Sequence, residues 1–108
     1  RKAELGQTHR TTLASANDLA ALLKAMGRLD QAEPLYHAAL QGCRESLGTR
    51  DPQTLTSMNS LAALLAQRGD RPEKAEALYR EALQGRRQEL GPLHPHTLMS
   101  MGNLAALL

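Results

Sequence analysis

The sequence predicts an all-α protein made of repeated antiparallel helix pairs, and three observations support this. Hydrophobic residues make up 42% of the 108 residues, yet the chain has no Phe, Trp, Val or Ile. Leu and Ala, which favour helices, supply most of the apolar side chains, whereas strands favour β-branched and aromatic residues. Blocks of sequence also recur at a nearly constant spacing. Finally, the one change in that spacing falls beside a glycine, and length changes concentrate in loops.

The repeat is visible in several short blocks. Leu5-Gly6 recurs as Leu47-Gly48 and Leu90-Gly91, and Thr12-Leu13 recurs as Thr54-Leu55 and Thr97-Leu98. The block LAALL begins at Leu19, Leu61 and Leu104. The spacing is 42 residues as far as Gly27 and Gly69, and 43 afterwards. The extra residue after Gly69 therefore predicts a turn between two helices at this point of each repeat.

The first helix of each repeat is predicted at about 10–26, 52–68 and 95 to the end. Asp51-Pro52 is a strong start signal, because Asp caps helices and Pro fits the first helical position. His94-Pro95 is placed alike, whereas Arg10 stands where the prolines stand, so the first helix has a weaker start signal. The apolar residues of this helix in the first repeat have helical spacing: Leu13, Ala16, Leu19, Ala20 and Leu23.

The second helix is predicted at about 31–47 and 73–90, and Gly48 and Gly91 would end these helices. Pro34 is expected in the first turn, with Asp30 as the cap, where the missing N–H has no intrahelical partner. The apolar stripe of the first copy contains Ala32, Leu35, Tyr36, Ala39, Leu40, Cys43 and Leu47. Cys43 is expected to be a small core residue, because no activating partner for a reactive thiol is evident.

A single helix pair of this kind cannot bury its apolar stripe, so neighbouring pairs are expected to stack into a solenoid. We expect residues 1–6 to end a preceding second helix, 7–48 to form one repeat and 49–91 the next, and 92–108 to supply the first helix of a third. The chain then holds about two and a half repeats. Both ends should expose apolar stacking surface. Association through these ends, with another copy of the chain or with missing repeats of a longer array, is therefore an alternative function.

Two segments carry a resemblance to a known family: GRLDQAEPLYHAAL at 27–40 and GDRPEKAEALYREAL at 69–83. They resemble the second helix of tetratricopeptide repeats, and the 42-residue unit is similar to the kinesin light chain and nephrocystin-3 type. The resemblance covers essentially the whole chain and implies a right-handed superhelix. The family usually has a large aliphatic residue where Gly42 and Gly85 stand. Glycine there either permits closer helix approach or loosens the helix end.

The resemblance implies that the first helices line a concave groove that binds a peptide or protein segment. Helix geometry then selects small and polar residues as the candidate groove: Asn17, Ala21 and Lys24 in the first repeat, Thr56, Asn59, Ser60, Ala63 and Gln67 in the second, and Asn103 in the third. Amide side chains both donate and accept hydrogen bonds, which suits a peptide backbone. Lys24, with Arg28 and Arg68 near the rim, would favour an acidic ligand. The alternative for each position is ordinary helix packing.

Other functional classes find little support in the sequence. No nucleophile–base pair, phosphate loop or complete ligand set is evident, so we expect no enzyme activity, no cofactor and no metal site. His94 and His96 are interpreted as turn and cap residues. The net charge is only +2, with acidic residues flanking Arg86-Arg87, which argues against nucleic acid as a partner. No apolar run is long enough to span a membrane, and the single cysteine requires no oxidising compartment. An intracellular, cytoplasmic location is therefore expected.

Overall fold

The computed structural model describes residues 2–69 and 71–108, with side chains described from residue 10 onward. Over these residues the chain forms five helices: α1 (Lys2–Ala25), α2 (Leu29–Ser46), α3 (Pro52–Arg68), α4 (Pro72–Leu90) and α5 (Pro95–Leu107). No strand occurs among them. The all-α prediction is therefore confirmed, and α1–α2 and α3–α4 form the two predicted hairpins.

The helix boundaries of the second repeat follow its sequence signals closely. Asp51 precedes α3, and its side chain accepts a hydrogen bond of 2.9 Å from the Gln53 backbone N–H, as an N-cap does. At the other end of α3, Gly69 adopts the left-handed conformation with φ of 75° and donates its N–H to the Leu65 carbonyl. Glycine tolerates this conformation without steric cost, so the chain can reverse into α4 within a few residues.

The first repeat departs from its predicted boundaries at two places. α1 is a single helix from Lys2, and no break occurs at Gly6 or near Arg10. Neither place carries a proline such as those that start α3 and α5. Asp30 is not a cap, because α2 already begins at Leu29. Pro34 therefore lies in the second turn, where its missing N–H leaves the Asp30 carbonyl without its usual helical donor.

The core runs between the two layers of helices. Each hairpin packs internally, and α3 also packs on α2 while α5 packs on α4. Tyr36 and Tyr79 are 2% and 5% exposed, so the rings at these equivalent positions are both buried. Leu61 is almost fully buried, whereas its counterpart Leu19 is 49% exposed. Leu19 belongs to the predicted apolar stripe but is half exposed, because α1 packs against one second helix of the described residues whereas α3 packs against two.

One glycine in each hairpin, Gly42 in the first and Gly85 in the second, allows the two helices of that hairpin to approach closely. A Cβ atom added at Gly85 would lie 2.5 Å from Leu55 Cδ2, and one added at Gly42 would lie 2.4 Å from Leu13 Cδ2. Neither distance is compatible with an unperturbed side chain. Of the two roles considered for these glycines, the structure supports close approach, with a first-helix leucine seated against a second-helix glycine in both hairpins.

Candidate functional site

The first helices form the inner layer of the array. α1 contacts α3 and α3 contacts α5, whereas among the described residues α2 and α4 make no comparably close backbone approach. Helices that lie closer together in one layer than in the other bend the array toward the closer layer. The candidate groove is therefore the face of α1, α3 and α5, which we call the first-helix face.

A cleft opens on this face between α1 and α3. It has a volume of about 210 Å³ and is lined by Ala14, Asn17, Asp18, Gln53, Thr56 and Ser57. The Asn17 side-chain oxygen Oδ1 is buried and has no hydrogen-bond partner among the described residues. A buried acceptor without a donor is unfavourable by about 1–3 kcal/mol. Asn17 lines the cleft, so a ligand N–H group could reach this acceptor if the side chain turned toward the cleft.

The equivalent junction between α3 and α5 is closed by polar side chains. Asn59 is only 8% exposed, and its Nδ2 donates to Ser100 Oγ at 3.3 Å. Its Oδ1, like that of Asn17, has no hydrogen-bond partner among the described residues. Asn59 therefore connects α3 to α5, and its side chain does not stand free on the first-helix face.

Arg86 reaches the same junction from α4. Its guanidinium donates to Ser100 Oγ at 3.0 Å, to the His96 carbonyl at 3.2 Å and to Thr56 Oγ1 at 3.4 Å. The residue is 6% exposed, and burial lowers its pKa below the ordinary arginine value. All three acceptors are neutral, and no described carboxylate pairs with Arg86. The buried guanidinium of Arg86 on α4 thus holds the Thr56 hydroxyl by a hydrogen bond.

Arg86 was not selected from the sequence, although a signal was present. It occupies the position of Cys43 in the repeat, and that position belongs to the apolar stripe of the second helix. A charged residue in an apolar stripe indicates either an uncovered face or a buried charge. Cys43 itself is fully buried, as expected, with Sγ 3.7 Å from Ser57 Oγ.

The nine predicted groove residues differ in accessibility. Ala21, Thr56, Gln67 and Asn103 are exposed, Asn17, Lys24, Ser60 and Ala63 are half-buried, and Asn59 is buried. Only two of them, Asn17 and Thr56, line the α1–α3 cleft. Gln67 lies in a different depression, next to Gly27 and Leu29 at the turn of the first hairpin.

One member of the predicted basic rim, Arg68, is paired with acidic side chains. Arg68 lies 2.6 Å from Asp30 and 3.4 Å from Glu33, and Arg71 lies 2.6 Å from Glu33. These pairs join the first hairpin to the turn of the second. The positive charge that Arg68 was expected to offer to an acidic ligand is therefore already shared with two carboxylates.

His94 and His96 lie where a turn passes into α5. His94 Nδ1 accepts a 3.1 Å hydrogen bond from the His96 backbone N–H, which is the cap interaction that Asp51 makes at α3. Within the described residues, no group of three or more His, Cys, Asp or Glu side chains could hold a metal ion. No described helix is long and apolar enough to cross a membrane.

The tetratricopeptide repeat family matches this chain in two overlapping stretches, residues 11–73 and residues 54–96. The first match alone covers more than half of the chain. The chain belongs to the tetratricopeptide repeat family. Its fold is accordingly the right-handed superhelix of antiparallel helix pairs, and its repeats make it a protein-interaction or scaffold module.

Two further similarities place these tetratricopeptide repeats in the kinesin light chain type. Protein KINESIN LIGHT CHAIN-RELATED 2 of Arabidopsis thaliana is 39% identical over 66 residues, which are 61% of this chain and 10% of that protein. The crystal structure of BtubC (BKLC) from P. vanneervenii superimposes with a TM-score of 0.82 at 28% identity, covering 88% of this chain and 37% of that one. The chain therefore spans a tenth of the curated relative and little more than a third of BtubC. The families it matches are generally non-enzymatic.

Proposed function

We propose that this tetratricopeptide repeat segment binds an extended peptide or protein segment along the first-helix face and serves as a scaffold or adaptor. The observation that carries the proposal is the unsatisfied Asn17 oxygen in the α1–α3 cleft. A peptide backbone presents N–H donors at regular intervals, and one of them would satisfy this acceptor once the Asn17 side chain turns toward the cleft. Thr56 lines the same cleft. Its hydroxyl oxygen accepts a hydrogen bond from Arg86, and its O–H group can still donate one to a ligand.

The substitution Asn17→Leu tests this proposal without endangering the fold. It keeps the approximate size of the side chain and removes a buried acceptor that has no described partner, so thermal stability should stay unchanged or rise. A peptide selected from a random library on the wild-type chain should bind the variant at least about tenfold more weakly, since about 1.4 kcal/mol corresponds to tenfold. Fluorescence anisotropy with the labelled peptide gives both affinities.

A matched control uses the outer layer. Ala77 lies on α4 and is exposed, so Ala77→Leu adds a similar apolar side chain away from the first-helix face. This variant should bind the selected peptide with wild-type affinity. If Asn17→Leu bound the peptide as tightly as the wild-type chain, the first-helix face would lose its role in the proposal.

Self-association is the second candidate function, and the exposed apolar side chains favour it. Leu22 and Met26 at the α1 end are 57% and 54% exposed, and Leu98 and Leu108 at the α5 end are 48% and 72% exposed. Light scattering after size-exclusion chromatography across a range of concentrations tests for oligomers. Leu108→Asp suits this test better than a change at Leu104, because Leu104 is 9% exposed and belongs to the core.

The proposal includes neither catalysis nor a cofactor, and neither nucleic acid nor a membrane is a partner in it. Most arginines in the described part of the chain are engaged in ion pairs or buried, which leaves no continuous basic stripe. The pairs are Arg10–Asp51, Arg44–Glu81, Arg68–Asp30, Arg71–Glu33 and Arg80–Glu76. We also propose an intracellular, cytoplasmic location, supported by the kinesin light chain-related relative.

A further inference from the structure

The α1–α3 cleft lacks a link that closes the next junction of the inner layer. At the α3–α5 junction, Asn59 Nδ2 donates to Ser100 Oγ at 3.3 Å and joins the two helices. Asn17 and Ser57 occupy the equivalent positions of α1 and α3, but no hydrogen bond connects them. The Ser57 hydroxyl lies instead 3.7 Å from the sulfur of Cys43. The α1–α3 cleft therefore keeps polar groups that the protein itself does not use.

A carboxylate is among these unused groups. Asp18 lines the cleft, is exposed, and forms no ion pair or hydrogen bond with any described residue. On the preceding residue, the buried Asn17 Oδ1 also lacks a donor among those residues. The side-chain N–H group of Gln53, by contrast, donates to the Arg10 carbonyl at 2.9 Å and is engaged within the protein. One formal negative charge and one unsatisfied amide oxygen thus lie on adjacent residues of the same cleft.

The cations near the cleft do not neutralise Asp18. Arg10 is paired with Asp51, with 2.9 Å between Nη2 and Oδ2. Arg86 is buried, and its guanidinium donates to three acceptors within the protein. Lys24 lies six residues after Asp18, which is about 9 Å along a helix, and the two form no ion pair. The Asp18 carboxylate is therefore available to a cation of a ligand.

The size of the cleft restricts what can enter it. Its volume of about 210 Å³ is below the ~300 Å³ at which small-molecule pockets begin, so it suits a single side chain of a bound peptide. A lysine ammonium has three donors and an arginine guanidinium has five, and neither group accepts hydrogen bonds. A basic side chain would supply the counter-charge that Asp18 lacks. It would also bring an N–H donor for Asn17 Oδ1 once that side chain turns toward the cleft.

We propose, on the basis of the peptide binding proposed above, that the α1–α3 cleft binds a lysine or arginine side chain of the ligand, with Asp18 as the counter-ion. The basic rim favoured an acidic ligand, whereas the charge of this cleft favours a basic residue. Ser60 and Asn103 occupy the position of Asp18 in the next two first helices and carry no charge. The negative charge that selects a basic residue is therefore specific to α1.

The test uses the 108-residue chain and a peptide selected on it from a random library, synthesised with an acetylated amino terminus so that its only cations are side chains. We expect a lysine or arginine in this peptide whose replacement by glutamine weakens binding about fivefold, as for a partly exposed ion pair. Asp18→Asn in the chain should weaken binding of the original peptide by a similar factor. It should not weaken binding of the glutamine peptide further, because the two changes remove the same contact. Fluorescence anisotropy gives all four affinities.

Two further measurements separate the charge of Asp18 from a structural role. Raising the salt concentration from about 0.1 M to about 1 M screens an exposed ion pair. The affinity of the wild-type chain should therefore fall with salt, and that of Asp18→Asn should fall less. Asp18 is exposed and forms no pair with a described residue, so Asp18→Asn should keep the thermal stability of the wild-type chain.

Glu89→Gln is the matched control. Glu89 is exposed on α4, in the outer layer, and like Asp18 it forms no ion pair with any described residue. This variant changes the net charge of the chain by the same amount as Asp18→Asn, at a distance from the cleft. It should bind the selected peptide with wild-type affinity.

Three results would overturn the proposed basic ligand. The first is a selected peptide without lysine or arginine. The second is wild-type affinity of Asp18→Asn while Asn17→Leu still weakens binding, which would leave the proposed function intact. The third is an equal loss of affinity in Asp18→Asn and Glu89→Gln, which would indicate a general effect of net charge. If neither Asp18→Asn nor Asn17→Leu weakened binding, the peptide would not occupy the first-helix face, and the proposed function would fail as well.

Discussion

The junction of α2 with α3 and the junction of α4 with α5 occupy equivalent places in the array but are built from different chemistry. In the first, Cys43 packs with its sulfur 3.7 Å from Ser57. In the second, Arg86 fills the same position and donates to Ser100 at 3.0 Å. Both residues are buried. The comparison shows that the repeat determines where a side chain lies, while a thiol or a hydrogen-bonded guanidinium can occupy that position.

The largest effect is expected when Cys43 in the α2–α3 junction is replaced by arginine, which is the residue at the equivalent position of the α4–α5 junction. Cys43→Arg should destabilise the chain by about 3 kcal/mol or more, because overpacking costs about 1–3 kcal/mol and an unpaired buried charge adds to it. Urea unfolding followed by circular dichroism measures the change. Cys43→Ser serves as a control that keeps the volume nearly constant. Wild-type stability of Cys43→Arg would show that the two junctions are interchangeable.

The close-approach glycines provide the second test. Gly85→Leu should cost about 2–3 kcal/mol of unfolding free energy through overpacking, because the Leu55 side chain beside it is almost fully buried. Gly42→Leu should cost less, since Leu13 is only half-buried and can move toward solvent. In the Gly85→Leu background, Leu55→Ala should recover part of the loss. Equal losses of unfolding free energy for Gly85→Leu and Gly42→Leu would contradict the explanation by the burial of the two leucines.

The third test replaces the buried cation. Arg86→Met should stabilise the chain by about 1–2 kcal/mol, since exchanging a buried ion for an apolar residue of similar length removes its desolvation cost. The acceptors left behind are a carbonyl within α5 and two hydroxyls, of which Thr56 is exposed. A loss of stability would mean that the three hydrogen bonds outweigh the desolvation of Arg86. Arg87→Met, at an exposed site, is the control.

The smallest effect concerns the caps of α3 and α5. Burial alone would raise the pKa of Asp51, but hydrogen bonds from Arg10 and the Gln53 N–H, together with the Arg10 charge, lower it below the ordinary aspartate value. Asp51→Ala should cost about 1 kcal/mol at neutral pH, as loss of a cap usually does.

The pH dependence of this effect follows from the direction of the shift. Because the pKa of Asp51 is lower in the folded chain, its stabilisation is complete above the unfolded pKa and is lost as pH falls through the folded pKa. The cost of Asp51→Ala should therefore shrink on acidification below about pH 4. His94→Ala, the equivalent change at α5, should not show this carboxylate dependence. A loss of unfolding free energy by Asp51→Ala that stays constant down to pH 2 would contradict the predicted pH dependence.

Helix spacing, cap residues and the recurrence of short blocks were sufficient to predict the fold and most helix boundaries. Asp51-Pro52 starts α3 and Gly69 ends it through contacts with residues nearby in the sequence, so both boundaries can be inferred from the local sequence. The start of α1 and the role of Pro34 were predicted wrongly, because α1 continues without a proline to interrupt it and α2 begins one residue before Asp30. The groove role of the nine selected residues stays a prediction, and their accessibility could not be inferred from the sequence.

By itself, the sequence determined that this protein is an array of helix pairs, because the period of its apolar residues and the spacing of its repeats are local properties of the chain. Only the tertiary structure decided that Asn17 leaves an acceptor unsatisfied while Asn59 is closed against Ser100. It also decided that Arg86 is buried whereas Arg87 is exposed. These outcomes depend on which neighbouring helix covers each residue, and packing between helices brings together side chains that lie about 40 residues apart.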